Sequence, residues 1–155
     1  MTMTKTTTLD ARKVARIIKP HAAKYLAARA YAEVMQDVIR ERSAPLLAAA
    51  NVLDGSGRPI ADSRNLYLAA DGQEDAITAF YGAAKAANIA AGWKGDPEHC
   101  PFLVADMDRV RAENELLDAG FAAMGNPELK AIDVYGDNRK KAVDLFCGLA
   151  LATPR

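Results

Sequence analysis

The stretch PFLVADMDRVRAENELLDAGFAAM, residues 101–124, carries the most regular pattern in the chain. Mostly apolar residues recur in this stretch at spacings of four and three. This is typical of a helix with one largely apolar face, here called the seam, over three heptads. Pro101 suits the first position of such a helix, and Gly125 and Pro127 follow where it should end. The stretch therefore predicts a long helix. Its seam positions are Leu103, Met107, Val110, Asn114, Leu117, Phe121 and Met124.

Asn114 interrupts this seam with a polar side chain. Heptad seams occur both inside helical bundles and between subunits. In the first case Asn114 should bond to a neighbouring helix, loop or water. In the second case the seam is the interface of a homo-oligomer, and Asn114 fixes its register at some cost in stability. Both alternatives stay open from the sequence.

The composition favours helices over strands. Of the 155 residues, 32 are alanine and only 6 % are aromatic. Alanine is the best helix former and lets helices approach closely, whereas strand-forming residues are confined to short stretches. We predict an all-α protein, a bundle of about five to seven helices in one domain over residues 1–155. Residues 1–8 should be flexible, and residues 51–62 should form a small hairpin or a loop because helical periodicity lapses there.

Prolines and capping residues predict where the helices begin and end. A basic N-terminal helix is predicted over residues 10–19, and Pro20 favours a kink or break after it. A second helix should run to about Arg42, with Asp71 and Glu74 capping the third. A short helix over 127–134 and a last helix over 137–151 should follow. The predicted inward residues of the first two helices are Val14, Ile17, Ile18, Ala27, Tyr31, Val34 and Val38.

The net charge of zero hides a basic N-terminal region. The first 30 residues hold seven basic side chains against one acid. Arg12, Lys13, Arg16 and Lys19 should form one cationic ridge, because spacings of three and four share a helix face. Such a ridge attracts an acidic protein surface or the acidic body of a neighbouring subunit. Nucleic acid is less favoured, since no aromatic residue is interleaved with the charges and no helix-turn-helix pattern follows.

Cys100 and His99 are the candidates for catalysis. A thiol before the first turn of a helix feels the helix dipole, which favours thiolate, and His99 beside it could assist. This pattern suggests a thiol-dependent enzyme or a redox switch as an alternative function. A cap or packing cysteine is the favoured interpretation of Cys100, and Cys147 lies in an apolar helix where a core position is expected.

Other chemistry finds no support in the sequence. No phosphate loop, nucleophile elbow or set of metal ligands at workable spacing occurs, so we expect no cofactor and no metal. No run of about 18 apolar residues is present, so no membrane span is predicted. With no export signal at the N-terminus, a cytoplasmic protein is expected.

The stretch GDPEHCPFLVA, residues 95–105, with the alanine-rich helices around it, resembles uncharacterised small helical proteins of bacterial phage and prophage regions. The resemblance implies no activity and no site residue, but it favours an accessory protein over a metabolic enzyme. The leading hypothesis is therefore a self-associating helical module for protein–protein interaction or structure. The thiol activity and a nucleic-acid-associated protein are the alternatives.

Overall fold

The computed structural model describes residues 10–96 and 100–152, which contain four α-helices and two 3-10 helices. The α-helices are α1 (Ala11–Ala50), α2 (Glu74–Ala90), α3 (Pro101–Ala123) and α4 (Gly136–Ala152). The 3-10 helices are Ser63–Leu68 and Ala131–Asp133. Strand pairing among the described residues is limited to two isolated bridges, Leu53 with Pro59 and Asp54 with Ala69. The predicted all-α class is confirmed, and the bridges lie in the predicted non-helical region.

Contacts divide the chain into two compact units. The terminal unit comprises Met1–Ala30 and Met107–Arg155, and the central unit comprises Tyr31–Asp106. Helices α1 and α3 each contribute residues to both units. The predicted flexible segment 1–8 lies outside the described residues. The single domain stays a prediction.

The predicted break at Pro20 and the predicted helix end near Arg42 are wrong, because α1 runs without interruption through Pro20 and Pro45. A kink at Pro20 stays a prediction. A proline inside a helix leaves the carbonyl four residues earlier without its N–H partner. Here both prolines are exposed, and so are Arg16 and Glu41, the residues four positions earlier. Water can therefore bond to the freed carbonyls. The basic helix predicted over 10–19 is thus the first part of a 40-residue helix.

The buried face of α1 differs in part from the predicted one. Val14 and Ile18 are buried as expected, but Ile17 is exposed. Further along the helix, Tyr31, Val34 and Val38 are exposed as well. Between Tyr31 and Ser43 the buried positions hold the small residues Ala32 and Ser43, whereas the large residues Tyr25 and Leu47 are buried on either side of this part.

The core of the terminal unit lies between α1, α3 and α4. Its buried cluster includes Ile18, Leu116, Leu117 and Phe146. The rings of Phe121 and Phe146 meet edge to face with centroids 5.5 Å apart. Leu117 and Phe121, two residues of the predicted seam, are therefore core residues of the unit.

Gly120 allows α3 and α4 to approach closely in this core. A Cβ atom at Gly120 would lie 2.4 Å from the nearest ring carbon of Phe146, which is closer than real Cβ contacts. The side chain of Phe146 is 1 % exposed, so its ring packs directly over the backbone of Gly120. The absence of a side chain at position 120 thus sets the spacing of the two helices.

The central unit has a smaller core, with Leu47, Leu66 and Phe80 among its buried residues. Gln73 holds the loop that closes this core, because its side-chain amide pairs with the backbone of Leu53 as a strand would. Its Oε1 accepts from the Leu53 N–H at 2.7 Å, and its Nε2 donates to the Leu53 carbonyl at 2.7 Å. Nε2 also donates to the carbonyl of Ala70 at 3.0 Å.

Two predicted helix ends are corrected. Asp71 is not the cap of α2; Gln73 occupies the N-cap position, while Glu74 accepts from the Gly72 N–H. The helix predicted over 127–134 is reduced to the 3-10 turn Ala131–Asp133. Gly125, with φ 86°, and Pro127 leave only a short connection before α4.

Candidate functional site

Arg139, in the first turn of α4, joins three segments of the terminal unit. Its Nε donates to Oε1 of Glu113, and its Nη2 donates to Oδ1 of Asn114, both on α3. Its Nη1 donates to the carbonyl oxygen of Ala131 at 2.7 Å. The guanidinium therefore fixes α4 and the second 3-10 helix against α3. Asn114, the polar residue of the predicted seam, pairs within the chain.

This network is largely satisfied and shielded. The side chains of Arg139 and Glu113 are 23 % and 13 % exposed. Glu113 Oε2 also accepts from Nη1 of Arg109 at 3.2 Å. Hydrogen bonds between charged groups in such surroundings are stronger than neutral ones. Arg139 is thus a positioning residue that shapes the surface beside it.

Ala131 is held on both sides by this arrangement. Asp118 on α3 accepts from its N–H at 2.7 Å, while Arg139 donates to its carbonyl oxygen. The small side chain of Ala131 is buried, which leaves the larger neighbouring side chains on the outside. Leu129, Ile132 and Tyr135 are large apolar residues in and beside the 3-10 helix. All three are exposed.

A depression of about 640 Å³ lies beside the network, lined by Val110, Ile132, Tyr135 and Arg139 among others. Met107 lies one turn before Val110 on the same face of α3. Exposed clusters of large apolar side chains are unusual on monomeric proteins and mark interaction sites. We name Met107, Val110, Ile132 and Tyr135 the apolar surface.

No protein-family model, curated protein or solved structure matches the chain. The functional conclusion therefore depends on the geometry of the described residues. The apolar surface includes two residues of the predicted seam, Met107 and Val110. Leu103, a third seam residue, is also exposed and lies in the central unit. The sequence prediction missed Ile132 and Tyr135, for which the Leu-x-x-Ile-x-x-Tyr spacing was the available signal.

The four residues of the basic ridge, Arg12, Lys13, Arg16 and Lys19, are all exposed, as predicted. Asp10 caps α1 by accepting from the Arg12 N–H at 3.0 Å. Within residues 10–96 and 100–152, no acidic side chain pairs with any of the four. Further along α1, Lys24 is paired with Glu115 at 2.7 Å, and this hydrogen bond lowers the pKa of Glu115. The ridge therefore presents its charge to solvent.

The candidate thiol site is only partly described. Cys100 is half-buried and directly precedes α3. Its backbone carbonyl accepts from the Val104 N–H at 2.9 Å. His99 lies outside the described residues. Cys147 is buried as predicted, and desolvation raises the pKa of its thiol. Neither thiol has a described partner that would make it a nucleophile.

A metal site and a membrane-spanning helix are both absent from residues 10–96 and 100–152. There, no group of three or more His, Cys, Asp or Glu side chains is arranged to hold a metal ion. The helices of that part are also too short or too polar to cross a membrane.

Proposed function

We propose that the protein is a helical interaction module that associates with a second copy through the apolar surface of the terminal unit. The observation that supports the proposal is the exposure of four large apolar side chains, of which Val110, Ile132 and Tyr135 line one depression and Met107 lies one helical turn from Val110. Their exposed fractions are 57 % for Met107, 38 % for Val110, 70 % for Ile132 and 75 % for Tyr135. An accessory protein of a phage or prophage is the context we propose for it.

Covering these side chains would stabilise a complex. Burying one exposed apolar side chain contributes roughly 1.5–3 kcal/mol at about 25 cal/mol per Å². Tyrosine is enriched among the residues that dominate binding energy. Since Ala131 is held by Asp118 and Arg139, Ile132 projects from an ordered backbone. Binding at this position therefore loses less conformational entropy than binding to a flexible loop would.

A second copy is the occupant that the chemistry of the surface favours. Arg109, Glu113 and Arg139 line the depression, but hydrogen-bonded ion pairs tie them to one another. The surface therefore offers apolar contacts and little free charge. An apolar patch is complementary to itself, which is what a two-fold interface requires.

The test is to measure the molecular mass of the purified protein at several concentrations, by light scattering and by sedimentation. We expect a concentration-dependent dimer for the wild type, and a monomer for Tyr135→Glu and Ile132→Glu at the same concentrations. Tyr67→Glu is the matched control, because Tyr67 is 80 % exposed and lies in the central unit. A monomeric wild type, or an unchanged mass for both variants, would contradict the proposal.

The basic ridge supports a second candidate, recognition of an acidic protein surface. Ile17, 45 % exposed, lies between the four cations and offers an apolar contact that a phosphate backbone would not use. Reversing Arg12, Arg16 and Lys19 to Glu should abolish salt-sensitive binding to an acidic protein, with Lys140→Glu/Lys141→Glu as control. Loss of salt-sensitive binding to a DNA duplex instead would favour a nucleic-acid partner.

A further inference from the structure

We infer that Asp71 and Gly72 form a site of spontaneous backbone modification, at which the aspartyl peptide bond converts to an isoaspartyl bond. The chain contains two Asp-Gly dipeptides, Asp54-Gly55 and Asp71-Gly72, and both lie in the central unit. Glycine favours this conversion because it has no side chain to hinder its own amide nitrogen. The sequence thus offers two candidates, and the structure distinguishes between them. The inference is independent of the proposed self-association, which concerns the terminal unit.

The conversion needs no partner other than water. The backbone nitrogen of Gly72 attacks Cγ of the neutral Asp71 carboxyl group. An N–Cγ bond forms, the nitrogen loses its proton and the carboxyl group loses one oxygen as water. A second water then opens the resulting succinimide ring. Breaking the N–Cγ bond restores aspartate, whereas breaking the bond between the nitrogen and the α-carbonyl carbon leaves a chain that continues through Cγ as isoaspartate.

Asp54 is protected from this reaction, because hydrogen bonds hold its side chain and the attacking nitrogen. Its Oδ1 accepts from the N–H and the hydroxyl of Ser56, at 2.8 and 2.7 Å, and from the Arg58 N–H at 3.0 Å. The N–H of Gly55 donates to the Leu68 carbonyl at 3.3 Å. The hydrogen bonds from the Ser56 hydroxyl and the Arg58 N–H lower the pKa of Asp54, so less of its carboxyl group is in the reactive neutral form.

Asp71 lacks these restraints. Its side chain is exposed, and its carboxylate accepts no hydrogen bond within the described residues. Gly72 is exposed as well, with φ 87°, and a Cβ atom there would meet nothing within 4 Å. Within the same part of the chain, its N–H donates only to Oε1 of Glu74, an exposed side chain, at 3.3 Å. The carboxyl group of Asp71 is therefore free to turn toward this nitrogen.

The position of the site gives the modification a structural consequence. Asp71 and Gly72 are the whole link between Ala70 and Gln73. The N–H of Ala70 donates to the Leu53 carbonyl at 3.1 Å, and the side chain of Gln73 pairs with both backbone groups of Leu53. Isoaspartate adds one carbon atom to the backbone of this link, so its two ends no longer hold Leu53 in the same register. The modified chain therefore loses the closure of the central core.

The experiment is to incubate the full-length protein at neutral pH with gentle warming and to locate isoaspartate by peptide mass spectrometry. We expect it to accumulate at Asp71 about tenfold or more faster than at Asp54, because the turn at Asp54 must first lose its hydrogen bonds. In the urea-unfolded chain the two rates should become similar. Equal rates in the folded protein, no isoaspartate at Asp71, or the same difference in urea would overturn the inference.

Variants connect the reaction to the two turns. Asp71→Glu should give no isomer at position 71, because glutamate would have to form a larger ring. Asp75→Glu, at an exposed aspartate of α2, is the control and should leave the reaction at Asp71 unchanged. Ser56→Ala removes a hydrogen bond from Asp54 and should speed the reaction at Asp54 alone. An unchanged rate at Asp54 in this variant would contradict the protection by its turn.

Hydrogen exchange tests the structural consequence. After incubation, the Leu53 N–H should exchange faster in the wild type, in proportion to its isoaspartate content, and should not change in Asp71→Glu. Exchange at Leu53 that is the same before and after modification would overturn the proposed loss of closure.

Discussion

In the terminal unit, thirteen buried residues of the described chain form one cluster, whereas the corresponding cluster of the central unit has five. The larger cluster is made by facing helices, and the ring of Phe146 packs on Gly120 within it. The smaller one is closed by the 51–73 connection, whose backbone pairs with the side chain of Gln73. Apolar helix packing, with the network of Arg139 beside it, thus forms the first core, whereas one polar side chain closes the second.

This difference indicates how each unit should respond to substitution. A core of interdigitated rings tolerates little added volume, because interiors are close-packed. A connection held by a few hydrogen bonds is sensitive to the loss of one polar side chain, because buried backbone groups then lack partners.

Gly120→Ala should have the largest effect. The added methyl would lie 2.4–2.5 Å from three ring atoms of Phe146, whose side chain has no free space to enter. We expect a loss of about 3 kcal/mol in the free energy of unfolding, since overpacking a core costs about 1–3 kcal/mol and occasionally more. Urea denaturation measures the loss, and hydrogen exchange should assign it to the terminal unit.

Gly148→Ala is the matched control on α4, where an added Cβ meets nothing within 4 Å. Alanine is the better helix former, so this change should raise stability by about 0.5–1 kcal/mol. Equal effects of the two substitutions would show that helix propensity, rather than the contact with Phe146, governs position 120.

Gln73→Ala should have an intermediate effect on the central unit. It removes the acceptor of the Leu53 N–H and one of two donors to the Leu53 carbonyl, which keeps its hydrogen bond from the Ala70 N–H, so we expect a loss of about 2 kcal/mol. Gln73→Glu keeps an acceptor for the N–H but places a carboxylate against the carbonyls of Leu53 and Ala70. If the hydrogen bonds matter more than the packing of the side chain, Glu will not restore the stability of Gln in thermal melts at pH 7.

Asp62→Asn should have the smallest effect, and that effect should depend on pH. Hydrogen bonds from Arg64 lower the pKa of Asp62 to about 2 in the folded protein. A folded pKa below the unfolded value near 3.9 means that the ionised carboxylate stabilises the fold above about pH 4 and loses this effect as pH falls toward 2. The difference in melting temperature between wild type and variant should therefore shrink over that range.

Asp71→Asn is the control for this pH dependence of the melting temperature, because Asp71 is exposed and its carboxylate accepts no hydrogen bond within the described residues. A melting difference of the same size and pH dependence for Asp71→Asn would mean that general charge, rather than the contact with Arg64, determines the result.

The candidate site was only partly predictable from the sequence. The exposure of the basic ridge followed from its spacing and charge. Met107 and Val110 were recognised as one helical face, but whether they lie inside or outside depended on the rotation of α3. Ile132 and Tyr135 were missed, because a helix was predicted over 127–134 where the chain forms only the 3-10 turn Ala131–Asp133, and their exposure depends on how that turn packs. The network of Arg139 joins residues 25 and 26 positions apart in the chain, which no local pattern reports.

Sequence patterns alone predicted the helical class, the beginning of α3 at Pro101, the extent of α4 and the non-helical region near residues 51–62. These features depend on propensity, capping and turn residues, which act over a few positions. Tertiary structure decided the continuity of α1 through Pro20, because packing on both sides of the proline outweighs one lost hydrogen bond. It also decided which faces are buried, since in an alanine-rich helix the inward side can be the one with small residues.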